Sequence, residues 1–333
     1  MRMIVPPGAL CCLILLLSTL CGATVIIPEP QRYEGTDRVS AAVAIDQNLF
    51  AVCARNDNLL RVYRKGTSVA PITTLDISEF LSIPEGLTDI RGATRQGDRI
   101  YWIGSHSRDH EGWLRPETYC FFATDIRRDQ GNVTLVPVGK PCTTLLDKLP
   151  SNSIVRTLRL DKAIGPREAV PSLSPTRNGL SISALAADPR MNVLHIGFSS
   201  PRPLRVITGR PHALTLPLNN PADVVEKGKD PIFGEATLWD FNGLGITGLE
   251  YSQIHEKFII VAQAHDHFHP CVVYHWSGMK ANSPQRICQL DTLDEDTDIV
   301  TLGPWDAAAL SLLIGPKDAH NKSFQSIWMQ LPN

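Results

Sequence analysis

The sequence predicts an all-β protein: one domain, a β-propeller of about six blades within a range of roughly five to seven. Three observations carry this. Short runs of strand-forming residues are separated by turn residues, with few windows of sustained helical spacing. A unit of strand, tight turn, strand, long polar loop and strand recurs along the chain. Its readable copies start near Val43, Ile90, Ile246 and Val300, with neighbouring starts roughly 50 residues apart, a spacing typical of propeller blades. A β-sandwich is the competing arrangement, since its strands also alternate at short intervals. A parallel α/β sheet is disfavoured, and Val155 to Ile164 is the main helical candidate.

Residues 1–23 read as a secretory leader: Arg2, an apolar run from Ala9 to Leu20, then the small residues Gly22 and Ala23 at the expected cleavage point. The propeller domain is placed at 24–333, opening with an edge strand or extended arm around Ile26 to Pro30. The first copy runs Ala41–Ile45, a turn at Asp46 to Asn48, Leu49–Cys53, a polar loop, then Leu59–Tyr63; a short helix or turn is expected over Leu75 to Leu87. The second begins at Asp89, turns at Gln96 to Asp98, gives Ile100–Gly104, a loop from Ser105 to Arg115, and Tyr119–Ala123. The third has Leu180–Leu185 and Val193–Phe198 about a turn at Asp188-Pro189. The fourth has Gly245–Glu250, Phe258–Ala262 and Cys271–Trp276, and a weaker fifth has Ile299–Leu302, Leu310–Gly315 and Ser326–Leu331. The longer gaps leave room for one or two further units. Trp102, Trp239 and Trp276 are expected to pack between blades.

The formal net charge of −2 argues against nucleic acid or an anionic membrane held mainly by charge, and no segment after the leader is long and apolar enough to span a bilayer. The expected location is therefore secreted, periplasmic or extracellular. Five cysteines follow the leader. Cys271 with Cys288 is the preferred disulfide, Cys120 with Cys142 the second candidate, and Cys53 is left as a buried thiol. Asn132-Val133-Thr134 and Asn321-Lys322-Ser323 fit glycosylation acceptors.

In a propeller the loop between the second and third strands opens on the face where the innermost strand starts. Antiparallel alternation then puts Arg55 to Asn58, His106 to Glu111, Ser199 to Arg205, His265 to His269 and Lys317 to His320 on one face. Asp89, Arg91, Ser183 and Thr247 would ring the channel mouth among them. The ligand-face candidates are Asp89, Arg91, His106, Arg108, His110 and Arg202. His265, His267 and His269 alternate along one segment, so three imidazoles can face one divalent metal, with His106, His110 or Glu111 completing its shell. A solvated loop is the plainer reading. Ser105-His106-Ser107 suggests a nucleophile with its base, although neighbours on a strand diverge. Asp89 with Glu250 is a candidate carboxylate pair, and Arg202, Arg205 and Arg210 form a basic loop.

Several stretches together resemble one secreted family, that catalogued as domain of unknown function 3616. They include Asp89-Ile90-Arg91-Gly92-Ala93, Arg99 to Arg108, Phe121 to Ile126, Pro217 to Pro221, Gly243 to Ile246 and Tyr274 to Gly278. The resemblance covers nearly all of the mature chain and implies a propeller-like fold without implying an activity. Against that family's pattern Arg91 replaces a Glu, Ser183 replaces the Glu of Asn-Ile-Glu-Gly-Leu, Thr247 replaces an Arg, and Ser199-Ser200 an Arg-Asn pair. An acidic cluster is reduced to Cys53-Ala54-Arg55-Asn56-Asp57. Ionisable groups are thus lost where a channel chemistry would sit. Two function classes follow: a non-catalytic module binding a small molecule, glycan or protein on the loop-rich face, and a metal-dependent hydrolase of esterase or lactonase type acting in the channel.

Overall fold

The computed structural model describes residues 31–36, 38–67, 69–83, 86–147, 149, 158, 160–166, 168–175, 178–204, 209–264, 271–290, 297–306, 309–316 and 322–330, with backbone alone for 297–306, 309–316 and 327–330. Within them five four-stranded antiparallel sheets form, each a meander of neighbouring strands. A leading strand β1 (Gln31–Glu34) precedes blade 1, which holds β2 (Val39–Ala44), β3 (Leu49–Ala54), β4 (Leu59–Arg64) and β5 (Thr73–Asp76). Blade 2 holds β6 (Ile90–Gln96), β7 (Arg99–Gly104), β8 (Phe121–Asp129) and β9 (Asn132–Cys142). Blade 3 holds β10 (Ser181–Asp188), β11 (Val193–Ser200), β12 (Ala213–Leu218) and β13 (Thr237–Trp239). Blade 4 holds β14 (Gly245–Ser252), β15 (Lys257–Gln263), β16 (Cys271–Trp276) and β17 (Gln285–Leu290). Blade 5 joins β18 (Thr297–Asp306), β19 (Ala309–Pro316) and β20 (Ser323–Gln330) to β1.

The first strand of each meander is innermost. β2 touches β6, β6 touches β10, β10 touches β14, β14 touches β18, and β18 returns to β2. The ring is closed, and the fold is a β-propeller rather than a sandwich. Its five sheets stand at the low end of the expected range. The long gap after β9 carries no sheet among the described residues, only a one-turn helix (Leu160–Ile164) and a 3-10 turn (Pro171–Leu173). Blade 3 is also lengthened by the connection from β12 to β13, which holds a helix at Pro221–Lys227. The opening segment makes no blade of its own, because β1 completes the last sheet.

Apolar clusters lie between blades, not within them. Phe122 and Trp102 meet Ala51, Leu60 and Ile77 between blades 1 and 2, while Phe121 and Tyr101 meet Leu194, Leu216 and Val224 between blades 2 and 3. Trp239 and Trp276 share the blade 3–4 cluster, with ring centroids 5.0 Å apart. Trp102 donates through Nε1 to Thr124 Oγ1 at 3.0 Å, so its polar edge is satisfied. Ring closure rests on an aromatic box. Tyr33 stacks on Phe324 at 5.1 Å and meets Phe50 and Tyr63 edge-on, and Tyr63 donates its hydroxyl to Glu34 O at 2.7 Å. A second strand such as β3 is buried on every residue, which is why Leu-Phe-Ala-Val-Cys-Ala reads as an unbroken apolar run.

All five cysteines of the described chain are free thiols, which corrects both expected disulfides. In the β16–β17 pair Cys271 faces Leu290 and Cys288 faces Val273, so the two thiols occupy diagonal rather than facing positions. In blade 2 Cys142 faces Phe121, leaving Cys120 beside, not opposite, it. Cys53 is a buried thiol as expected. No helix among the described residues is long and apolar enough to cross a membrane.

Candidate functional site at the loop-rich mouth of the channel

Four of the five innermost strands are built with the same irregularity at the same place. Register runs from Val39–Ala54 to Ala41–Cys53 in blade 1 and from Ile90–Gly104 to Gly92–Ile103 in blade 2. It runs from Ile182–Phe198 to Ala184–Gly197 in blade 3 and from Ile246–Ala262 to Gly248–Val261 in blade 4. Ser40, Arg91, Ser183 and Thr247 are therefore bulged out of the ladder, one per blade. A bulge re-aims its side chain, and bulges gather beside functional sites. Sequence reasoning placed Arg91, Ser183 and Thr247 at this mouth but missed Ser40. The signal was present: a β-branched residue, a polar one and a small one recur as Val39-Ser40-Ala41, Ile90-Arg91-Gly92, Ile182-Ser183-Ala184 and Ile246-Thr247-Gly248. The small residue is required by the tight ring. A Cβ on Gly92 would stand 2.8 Å from both Ile103 Cγ2 and Leu185 Cβ.

Bonds at this level stitch the blades together. Ser183 donates to Ile246 O at 2.5 Å, Ile182 N–H to Ser105 O at 2.8 Å, and Cys53 Sγ lies 3.8 Å from Ile90 O and from Ser40 Oγ. The loops joining β3 to β4, β7 to β8 and β11 to β12 open at this same end. Two non-glycine residues here take the left-handed region, Asp89 at φ 45° and His106 at φ 50°, and Asp89 O accepts the Ser105 N–H at 2.9 Å. Such backbone strain is tolerated where surrounding structure over-determines it, commonly at binding sites.

Asp89 and Arg91 form the charged centre. Arg91 Nε donates to Asp89 Oδ1 at 2.7 Å, with the Asp89 side chain 12% and the Arg91 side chain 29% exposed. Burial pushes the Asp89 carboxyl up, but the charge and hydrogen bond of Arg91, the charge of Arg55 and the Ser105 hydroxyl outweigh it and hold the group below the usual carboxylate range. Arg55 leaves the β3 end and its N–H donates to Arg38 O at 3.0 Å. Arg38 Nε is buried and makes no hydrogen bond among the described residues.

The other candidates stand elsewhere. His106 is wholly buried, its Nδ1–H donates to Gly104 O at 2.9 Å, and burial pushes its pKa down to about 4. Ser105 and Ser107 hydrogen-bond each other at 2.7 Å, so the imidazole serves neither hydroxyl as a base. Arg108 is buried and spends its guanidinium on backbone carbonyls. His110 is 91% exposed, 3.9 Å from Glu111. Arg202 donates to Gly243 O, and Arg210 lies 3.8 Å from Asp240. Glu250 is at the far end of β14, lining a different cavity, so it does not pair with Asp89. His265, His267 and His269, with Arg205 and the segment from Lys317 to His320, lie outside the described residues. Among those described no three His, Cys, Asp or Glu side chains gather as a metal shell.

No family model matches the chain, and no curated protein matches it. Solved structures do. The PQQ-bound form of aldose sugar dehydrogenase from Streptomyces coelicolor is 11% identical, with 93% of this chain and 98% of that one covered at a TM-score of 0.41. The β-propeller domain of Cps50 (Swd1) from Myceliophteria thermophila is 10% identical, with 91% and 99% covered at 0.41. A chain of the mitotic checkpoint complex is 10% identical with 89% of this chain covered at 0.38; this chain spans 64% of that one. At these identities the likeness concerns the fold alone.

Proposed function

We propose that the protein is a secreted, non-catalytic binding propeller, a divergent member of the family it resembles, and that its ligand is a small anion taken at the loop-rich mouth. The observation that carries this is the charge arrangement about Asp89. One carboxylate, held ionised, sits with the guanidinium of Arg91 at 2.7 Å and within the field of Arg55. Two guanidiniums act on that one carboxylate, and guanidiniums present N–H pairs matched to carboxylate or phosphate oxygens. Ser40, Ser183 and Thr247 are bulged at the same level, and the Ser183 and Thr247 hydroxyls donate to Ile246 O and Val261 O, which leaves the guanidiniums as the anion donors. Catalysis finds less support. Asp89 is already committed to Arg91, and among the described residues the imidazole of this loop, His106, is buried and tied to backbone.

The test is calorimetric titration of the purified protein with sulfate, phosphate and citrate, beside a turnover panel of esters, lactones and phosphate esters with and without divalent metal. Saturable binding of an anion that weakens with salt, and by at least about tenfold in Arg91→Ala, is expected. Absence of anion binding, or metal-dependent turnover, would overturn the reading.

A further inference from the structure

The innermost strands end, away from the loop-rich face, at a second mouth of the channel. A cavity of about 480 Å³ opens there, a size within the range of roughly 300–1,000 Å³ usual for small-molecule sites. Its lining is drawn from blades 1 to 4, and the blades contribute unlike chemistry. Blade 2 supplies Arg95 and Arg128, blade 3 the small apolar Ala187, and blades 4 and 1 the carboxylates of Glu250 and Asp46. Arg128 is neutralised at the rim by Asp98, 2.7 Å away. Arg95 is steadied by donating Nη1–H to Gly97 O at 2.8 Å, which orients the guanidinium without cancelling its charge. Asp46 is fixed in its turn, Oδ1 accepting from the N–H groups of Asn48 and Leu49 at 2.8 and 3.0 Å.

The cavity thus has a cationic wall on blade 2 and anionic walls on blades 4 and 1, with an apolar surface on the intervening blade 3. We propose that this second mouth binds a small zwitterion, a molecule with a carboxylate at one end and an ammonium at the other. The carboxylate meets Arg95, the ammonium meets Glu250 and Asp46, and the short carbon chain lies along Ala187. Other classes complement the walls less well. A dicarboxylate sets one end against Glu250, a diamine sets one against Arg95, and a neutral polyol displaces water from both walls without returning a counter-charge. The site shares no residue with the loop-rich mouth and stands independently of the anion reading there.

The experiment is calorimetric titration of the full chain with glycine, γ-aminobutyrate and 5-aminopentanoate, using succinate, 1,4-diaminobutane and glycerol as controls. At least one zwitterion binds saturably and, in Arg91→Ala, which lacks the anion site of the loop-rich mouth, more tightly than every control. Arg95→Gln and Glu250→Gln, each folded by circular dichroism, weaken it at least about tenfold, while Arg91→Ala at the opposite mouth leaves it unchanged. The proposal is overturned if no zwitterion binds, if a control binds Arg91→Ala as well as a zwitterion does, if both variants bind like the wild type, or if Arg91→Ala abolishes zwitterion binding.

Discussion

Arg108 Nη1 lies 2.8 Å from the carbonyl oxygen of Glu168, a residue 60 positions further along the chain. The same guanidinium donates to Gly112 O at 3.0 Å, to Ile164 O at 2.9 Å and to Pro166 O. One buried cation therefore closes the β7–β8 loop onto the long connection from blade 2 to blade 3. Charge-assisted donors of this kind are expensive to remove, because the carbonyls left behind are shielded from water.

Replacing Arg108 by Lys, which cannot reach four carbonyls in one plane, should lower stability by about 3 kcal/mol in urea unfolding. Limited proteolysis should cut first within 109–113 or 160–175. A variant as stable and as resistant as the wild type would show that the clamp is not structural.

Two buried histidines set a pH window. Burial lowers His106, against its Gly104 hydrogen bond, to about 4; burial also lowers His195 to about 4, with Asp188 opposing and Arg190 assisting. The unfolded imidazoles take up protons near the ordinary 6.5. Between those values the unfolded chain binds more protons, so this contribution is intact above pH 6.5 and is lost as pH falls toward 4. Each histidine accounts for up to about 3 kcal/mol of that loss. His195→Phe, whose ring fits the edge contacts at 5.1 Å to Phe258 and 5.4 Å to Trp276, should flatten the slope of urea stability against pH. An unchanged slope would refute the assignment.

Thiol chemistry distinguishes free cysteines from bridges. Burial pushes Cys53, Cys120 and Cys271 up to about 12, and Cys288 is buried as well. Cys142, raised by burial to a lesser degree, is the partly exposed one. Among the five cysteines that follow the leader, iodoacetamide at pH 8 should label Cys142 alone in the native protein and all five after denaturation without reductant. Two missing adducts at Cys271 and Cys288 would restore the bridge that the diagonal register argues against.

Central strands were the legible part of this fold. Leu49–Cys53, Val193–Phe198 and Cys271–Trp276 are buried at nearly every residue because each lies between neighbouring blades, so their sequences carry a mostly apolar run, broken only at His195 and His275. Outer strands carry little. β5 alternates half-exposed and overlaps the expected helix or turn over Leu75 to Leu87 only at Leu75-Asp76, the turn itself lying at residues 78–82, and β13 is only three residues long. β9 at Asn132–Cys142 and β17 at Gln285–Leu290 are edge strands with exposed polar residues, and periodicity alone did not find them. The helical candidate at Val155 to Ile164 shortened to Leu160–Ile164 among the described residues, and the helix at Pro221–Lys227 had no reading.

By itself the chain determined a repeated meander, the order of its copies and the end of each innermost strand at which Asp89, Arg91, Ser183 and Thr247 fall, since all of these follow from local alternation and turn residues. Only the closed ring decided how many blades there are, because the last sheet is completed by a strand from the opposite end of the chain. It also decided which charges meet. Arg91 reaches Asp89 through a bulge, Arg108 turns inward to four carbonyls, and Glu250 is carried to the far mouth by the length of β14. Side-chain partnerships depend on distances between blades, and a spacing along one strand does not contain them.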